Sequence, residues 1–196
     1  MELTRELVQV AYDNDHAATT VLLASRWLQS HPDDLGVTLK YASMLYGMTR
    51  YEDAIRVYQT ALGQMTEDHH KRWCVLVGIG LAYRYWGRLA DAETWFRQAI
   101  DADPTVVTSY VMLGACQARQ GKLKEAEKTH RAATQVADSD LLDEAHYNLG
   151  LVLRGQDRWA EAAECFRKAI ETTPDYAEAI EALKDVEMAM SLSKEL

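Results

Sequence analysis

The run Glu67-Asp68-His69-His70 sets two carboxylates beside two imidazoles, donor types that a zinc-like ion accepts. Neighbouring residues on a helix point about 100° apart, so both histidines cannot face one ion without donors from elsewhere in the chain. A solvated connection carrying acidic residues at the start of the next helix is the stronger reading. A metal-dependent activity built on Glu67, His69 and His70 ranks last among the functions considered. Cys74, Cys116 and Cys165 are odd in number and widely spaced, and fit neither a disulfide framework nor a metal motif. Reduced thiols, buried or half-buried, are expected. There is no Gly-rich phosphate loop, nucleophile elbow or zinc-protease motif. The chain is expected not to be an enzyme and to need no cofactor or metal.

Composition narrows the remaining classes. The 196 residues carry a formal net charge of −9, 48% hydrophobic residues and three prolines. Such a chain is well packed and mostly helical rather than disordered. Its acidity disfavours nucleic acid and anionic membranes as partners, since both reward a basic surface. The first twenty residues hold no apolar run preceded by a basic segment, and no later run reaches the length of a membrane span. Neither a leader nor a span is expected, and the cytoplasm is the expected location.

The elements that must position any site repeat along the chain. Ala54, Ala92, Ala126 and Ala162 follow one another at 38, 34 and 36 residues, a period that marks stacked helix pairs. Gly87 and Gly121 fall in the turns within pairs, where a left-handed backbone costs glycine nothing, and Asp157 takes that place later. Pro104 and Pro174 close second helices by lacking an amide donor. Asp33 and Asp34 stand at a helix start. Leu3, Leu7, Val8 and Ala11, then Val21, Leu22, Ala24, Trp27 and Leu28, form the stripes of a degenerate first pair. A last helix over 175–193 buries Ala179, Leu183, Val186 and Met190.

These residues resemble the tetratricopeptide repeat family. Ile79-Gly80, Tyr83, Ala92, Phe96 and Pro104 follow its pattern, as do Leu149-Gly150, Ala162, Phe166 and Pro174. Tyr110, Leu113-Gly114 and Ala126 follow it in part, with His130 replacing the aromatic and Asp138 the proline; His146 stands at another aromatic position. The resemblance implies an all-α fold: a single domain over 1–196, built as a right-handed superhelical solenoid of antiparallel helix pairs. Five repeats are expected, at about 1–32 (degenerate), 33–68, 71–104, 105–138 and 139–174, with a capping helix at 175–193.

In that family the first helix of each pair lines a concave groove. By position the groove candidates are Lys40 and Tyr46, then Val77, Leu81, Arg84 and Tyr85, then Met112 and Arg119, then Tyr147, Asn148 and Arg154. Arg84, Arg119 and Arg154 are each 35 residues apart, and among the groove positions of repeats two to five only Glu144 is acidic. Arginine beside tyrosine suits a peptide bearing carboxylates. Each arginine also sits in the last turn of its helix, where a cation favours the dipole, and the two readings are compatible. The implied function is a non-catalytic scaffold binding a protein or peptide partner. The alternative is self-association through the first repeat or the last helix, with Leu3, Leu7 and Trp27 as an exposed contact. Some family members clamp acidic chaperone tails; Asn148 matches one position of that clamp, but Gly78 and Met112 replace its equivalents, which argues against that mechanism.

Overall fold

A computed structural model of the chain describes residues 4–136 and 141–192, and every regular element in it is an α-helix. Leu3, Asp138 and Ser193 lie outside the described residues. The chain divides into two compact units, Met1–Ala102 and Asp103–Leu196. The first unit holds α1 (Arg5–Asp13), α2 (Ala17–Ser30), α3 (Leu35–Gly47), α4 (Tyr51–Gly63), α5 (Arg72–Tyr85) and α6 (Leu89–Ala102). The second holds α7 (Val107–Arg119), α8 (Leu123–Ala133), α9 (Leu142–Arg154), α10 (Trp159–Thr172) and α11 (Ala177–Leu192). The expected all-α series of helix pairs is therefore what forms.

One turn recurs within every pair. Asp15, Thr49, Gly87, Gly121 and Asp157 all have positive φ, between 55° and 86°. The residue after each donates its N–H back across the turn: His16 to Ala11, Arg50 to Leu45, Arg88 to Tyr83, Lys122 to Gln117 and Arg158 to Leu153, at 2.9–3.0 Å. This left-handed closure satisfies carbonyls that the ending helix leaves open. Glycine adopts it freely and aspartate tolerates it, but Thr49 is β-branched and strained there. Three of the following arginines then hold a carboxylate one turn on: Arg50 with Asp53 at 2.6 Å, Arg88 with Asp91 at 2.8 Å and Arg158 with Glu161 at 2.6 Å.

Packing within a pair is set by a ring seated in a glycine notch. A Cβ on Gly80 would fall 2.6 Å from the Phe96 ring, and one on Gly150 2.5 Å from that of Phe166. Both rings are wholly buried, as are Ala92, Ala99, Ala162 and Ala169 beside them. Small residues thus let the helices approach while the ring fills the space between. In α7 and α8 the same arrangement holds an imidazole: a Cβ on Gly114 would meet the His130 ring at 2.4 Å. His130 is 1% exposed, and its Nδ1 has no hydrogen-bond partner among the described residues. Burial pushes its pKa down to about 4, so the ring is neutral and behaves as an undersized phenylalanine.

The start of α3 is capped as its sequence suggests, with Asp34 accepting the Val37 N–H at 3.1 Å. Asp34 also accepts from Trp27 Nε1 at 3.1 Å, and the indole stacks on His31 at 3.7 Å. Trp27 is half-buried and engaged inside its own unit, which corrects the expectation of an exposed contact there. Along α11, Ala179 and Val186 are fully buried, and Val186 joins Leu149, Leu153 and Phe166 in one core cluster.

Candidate peptide-binding surface

In the first unit the first helices α1, α3 and α5 bring Lys40 to a cleft of about 360 Å³, lined also by Tyr12, Leu39, Ser43, Tyr58, Lys71 and Cys74. Among the described residues no carboxylate lines it. The Lys40 ammonium lies 5.7 Å from the centre of the Tyr12 ring and donates to the Gly36 carbonyl at 3.4 Å. Neither Lys40 nor Lys71 is ion-paired with a described residue, whereas Arg5, Arg50, Arg56, Arg88 and Arg97 all are. Burial, then the neighbouring Tyr12, Tyr46 and Cys74, push the Tyr58 hydroxyl up to about 12 against a hydrogen bond with Ser43. Cys74 is exposed on the wall, where a buried or half-buried thiol was expected; Cys116 and Cys165 are buried. Burial still raises the Cys74 pKa, with Lys71 opposing, so the thiol stays protonated.

The ends of α3 and α5 gather the predicted aromatics. The Tyr46 ring centre lies 5.9 Å from that of Tyr85 and 6.0 Å from that of Tyr51. Burial and then Tyr85 raise the pKa of Tyr46. The Arg84 guanidinium sits 5.3 Å from the Tyr85 ring centre. Leu81 is half-buried on the same helix. Val77, placed in the groove by position, is only 6% exposed and serves packing instead. Nearby, the rings of Trp86 and Tyr83 lie 6.3 Å apart with Arg88 over both.

The second unit differs in charge. Arg154 is bound to Asp185 of α11 at 3.1 Å. Together with Tyr147, Leu151, Glu178 and Glu181 they line a cleft of about 290 Å³. Three carboxylates against one arginine make this surface acidic, contrary to the basic face expected around Arg154. Tyr147 packs 5.8 Å from Phe166 and 5.1 Å from Tyr176. Burial, then Glu144, push the Tyr176 hydroxyl up to about 12. Asn148 donates to the Glu144 carbonyl at 2.9 Å, which turns it back on its own helix. Met112 is half-buried against Val107 and Val111. Arg119 is exposed and stands one residue further from its notch glycine, Gly114, than Arg84 from Gly80 or Arg154 from Gly150. One residue is about 100° of helix, so Arg119 leaves its helix on another side.

Lys71, Tyr12 and the α11 carboxylates escaped the sequence reading. For the last a signal existed: Glu178, Glu181 and Asp185 each stand 34 residues after Glu144, Tyr147 and Leu151. The histidines of the early metal hypothesis stack on each other, with ring centres 4.8 Å apart. Among the described residues no three His, Cys, Asp or Glu side chains gather as metal ligands, and no helix is long and apolar enough to cross a membrane.

Consecutive antiparallel helix pairs, each closed by the same left-handed turn and three of them keyed by a ring in a glycine notch, define a helical repeat protein. The tetratricopeptide repeat pattern matches residues 34–105 and 105–175, and the chain belongs to the tetratricopeptide repeat family. It is 30% identical over 135 residues to human tetratricopeptide repeat protein 7B, matching 69% of this chain and 15% of that protein. It is 33% identical over 178 residues to tetratricopeptide repeat protein 8 of Caenorhabditis elegans, matching 90% of this chain and 34% of the relative. The chain thus spans 15% and 34% of these relatives' lengths. The crystal structure of YrrB, described as a TPR protein with an unusual peptide-binding site, superposes with a TM-score of 0.70 at 18% identity, covering 90% of this chain and 88% of YrrB.

Proposed function

We propose that the chain is a non-catalytic protein–protein interaction scaffold that takes an acidic segment of a partner on the first-helix face of its first unit. The observation that carries this reading is the cleft lined by Lys40 and Lys71 with no carboxylate, in a chain of net charge −9. Two ammonium groups that are not ion-paired with a described residue, over a floor of Leu39 and tyrosine rings, suit a carboxylate beside an aliphatic side chain. The peptide-binding site for which YrrB is described supports a peptide ligand in general terms. Tyr46, Arg84 and Tyr85 extend the same reading, whereas Arg154, held by Asp185, drops out of it.

The test is fluorescence anisotropy of a labelled peptide alternating glutamate with leucine, titrated with the full chain. Reversing both Lys40 and Lys71 to glutamate is expected to weaken binding at least ~10-fold, or about 1.4 kcal/mol. Wild-type affinity is expected to fall as salt rises. Unchanged affinity in a double variant that remains folded would sink the acidic-segment reading. The second reading, self-association, is supported by the exposed Val10 and Leu22 on the first pair and Met188 and Leu192 on α11. Light scattering across a dilution series tests it, and a concentration-independent monomer rejects it.

A further inference from the structure

A second cleft in the first unit, of about 440 Å³, shares no lining residue with the lysine-lined one. It lies between Thr49–Asp53, at the start of α4, and Trp86 after α5. Two of its six lining residues are aromatic, Tyr51 of α4 and Trp86, and the Arg88 guanidinium lies 5.3 Å from the Trp86 ring centre. Trp86 is 42% exposed, Tyr85 56% and Met48, next to the turn, 38%. The charges on its walls are already matched within the protein: Arg50 holds Asp53 at 2.6 Å, and Arg56 reaches Asp53 at 3.3 Å and Glu52 at 3.9 Å. A charged ligand gains little there, because each of these side chains already shares an exposed partner of opposite sign. What the walls do offer is donors, because the Trp86 indole N–H and the Tyr51 hydroxyl have no hydrogen-bond partner among the described residues.

The occupant must therefore be uncharged, present flat apolar groups to aromatic faces, and bring carbonyl oxygens free to accept. A helix satisfies its own carbonyls, and strand addition needs a sheet edge that the described residues do not supply. A polyproline II segment leaves its carbonyls open and its backbone already ordered, and aromatic-lined grooves are what such segments dock into. We propose that this cleft binds an uncharged, proline-rich segment of a partner protein, with pyrrolidine rings against Tyr51 and Trp86 and a backbone carbonyl accepting from the Trp86 N–H. This rests on the reading of the chain as an interaction scaffold but not on the acidic-segment cleft.

The experiment titrates the full chain into a labelled, uncharged, proline-rich decapeptide, and separately into the same peptide with alanine for proline. The proline peptide is expected to bind and the alanine peptide to bind at least ~10-fold more weakly. Trp86→Ala is expected to cost about 30-fold, the scale of an aromatic anchor, and Tyr51→Phe, which keeps the ring and removes the donor, ~3-fold. The Lys40→Glu, Lys71→Glu double variant is expected to bind the proline peptide as the wild type does, which separates this site from the acidic-segment cleft. The Trp86 indole N–H resonance, assigned among those of the five tryptophans by its loss in Trp86→Ala, should shift in the wild-type protein on peptide addition. Equal binding of the alanine peptide, an unmoved Trp86 resonance, or loss of binding in the lysine variant would each overturn the proposal.

Discussion

Replacing His130 by phenylalanine should stabilise the protein, and by more as the solution becomes acidic. The native imidazole lies in the Gly114 notch with an unpartnered Nδ1, and burial holds its pKa at about 4. An unfolded histidine titrates near 6.5, so between about pH 6.5 and 4 the unfolded chain binds a proton that the native chain refuses. Stability from this residue is complete above that window and is lost as pH falls through it. A shift from 6.5 to about 4 corresponds to roughly 3 kcal/mol in full, of which roughly 2 kcal/mol is lost between pH 7 and pH 5. Phenylalanine removes the titration and the unpaired nitrogen, and the Gly80–Phe96 and Gly150–Phe166 pairs show that its ring fits such a notch. At pH 7 the gain should be about 1 kcal/mol, the low end of the cost of an unsatisfied buried group. Urea unfolding of both proteins from pH 7.5 to 5 measures the difference directly, and contributions from His146 and the carboxylates cancel in it. A difference that stays constant across that range would refute the argument, since it would mean that His130 titrates alike in both states.

Two further outcomes follow from the backbone. Gly150→Ala gains about 1 kcal/mol of helix propensity but drives a Cβ into the buried Phe166 ring, where overpacking costs ~1–3 kcal/mol. A net loss is expected as a lower urea midpoint, and a stabilised variant would contradict the notch. Thr49→Gly should raise the unfolding free energy by about 1 kcal/mol, seen as a higher urea midpoint, because a β-branched residue is strained at the observed φ of 60°. No change would show that the strain is relieved elsewhere.

The architecture was legible because its main devices leave a mark in residue type. A notch needs glycine and a ring needs an aromatic, so Gly80 with Phe96 and Gly150 with Phe166 announce themselves, and even His130 betrays its place by position. Thr49 did not, since threonine seldom adopts a left-handed backbone and the tertiary fit overrides that preference. The surface was less legible. Equal spacing suggested that Arg84, Arg119 and Arg154 share a side, yet the notch glycines Gly80, Gly114 and Gly150 are 34 and 36 residues apart, and one residue of drift turns Arg119 away. Lys71 lies in the connection between α4 and α5, where no periodicity says which way a side chain faces. The carboxylate that neutralises Arg154 comes from another helix, and charge pairing between helices is invisible to a pattern read along one.

The notch carries a consequence for how such chains change length. Gly80, Gly114 and Gly150 each precede their ring by 16 residues, whereas the left-handed residues of successive pairs are 34, 38, 34 and 36 residues apart. Slack shows between pairs: eight residues, 64–71, part α4 from α5, against four at 31–34, 103–106 and 173–176. One residue inserted inside a pair would swing a ring about 100° out of its seat, while one inserted after Gly63 has no seat to miss. What stays constant along the chain is the keyed pair. Tags and new loops therefore belong at such seams, where the chain can lengthen without reopening its core.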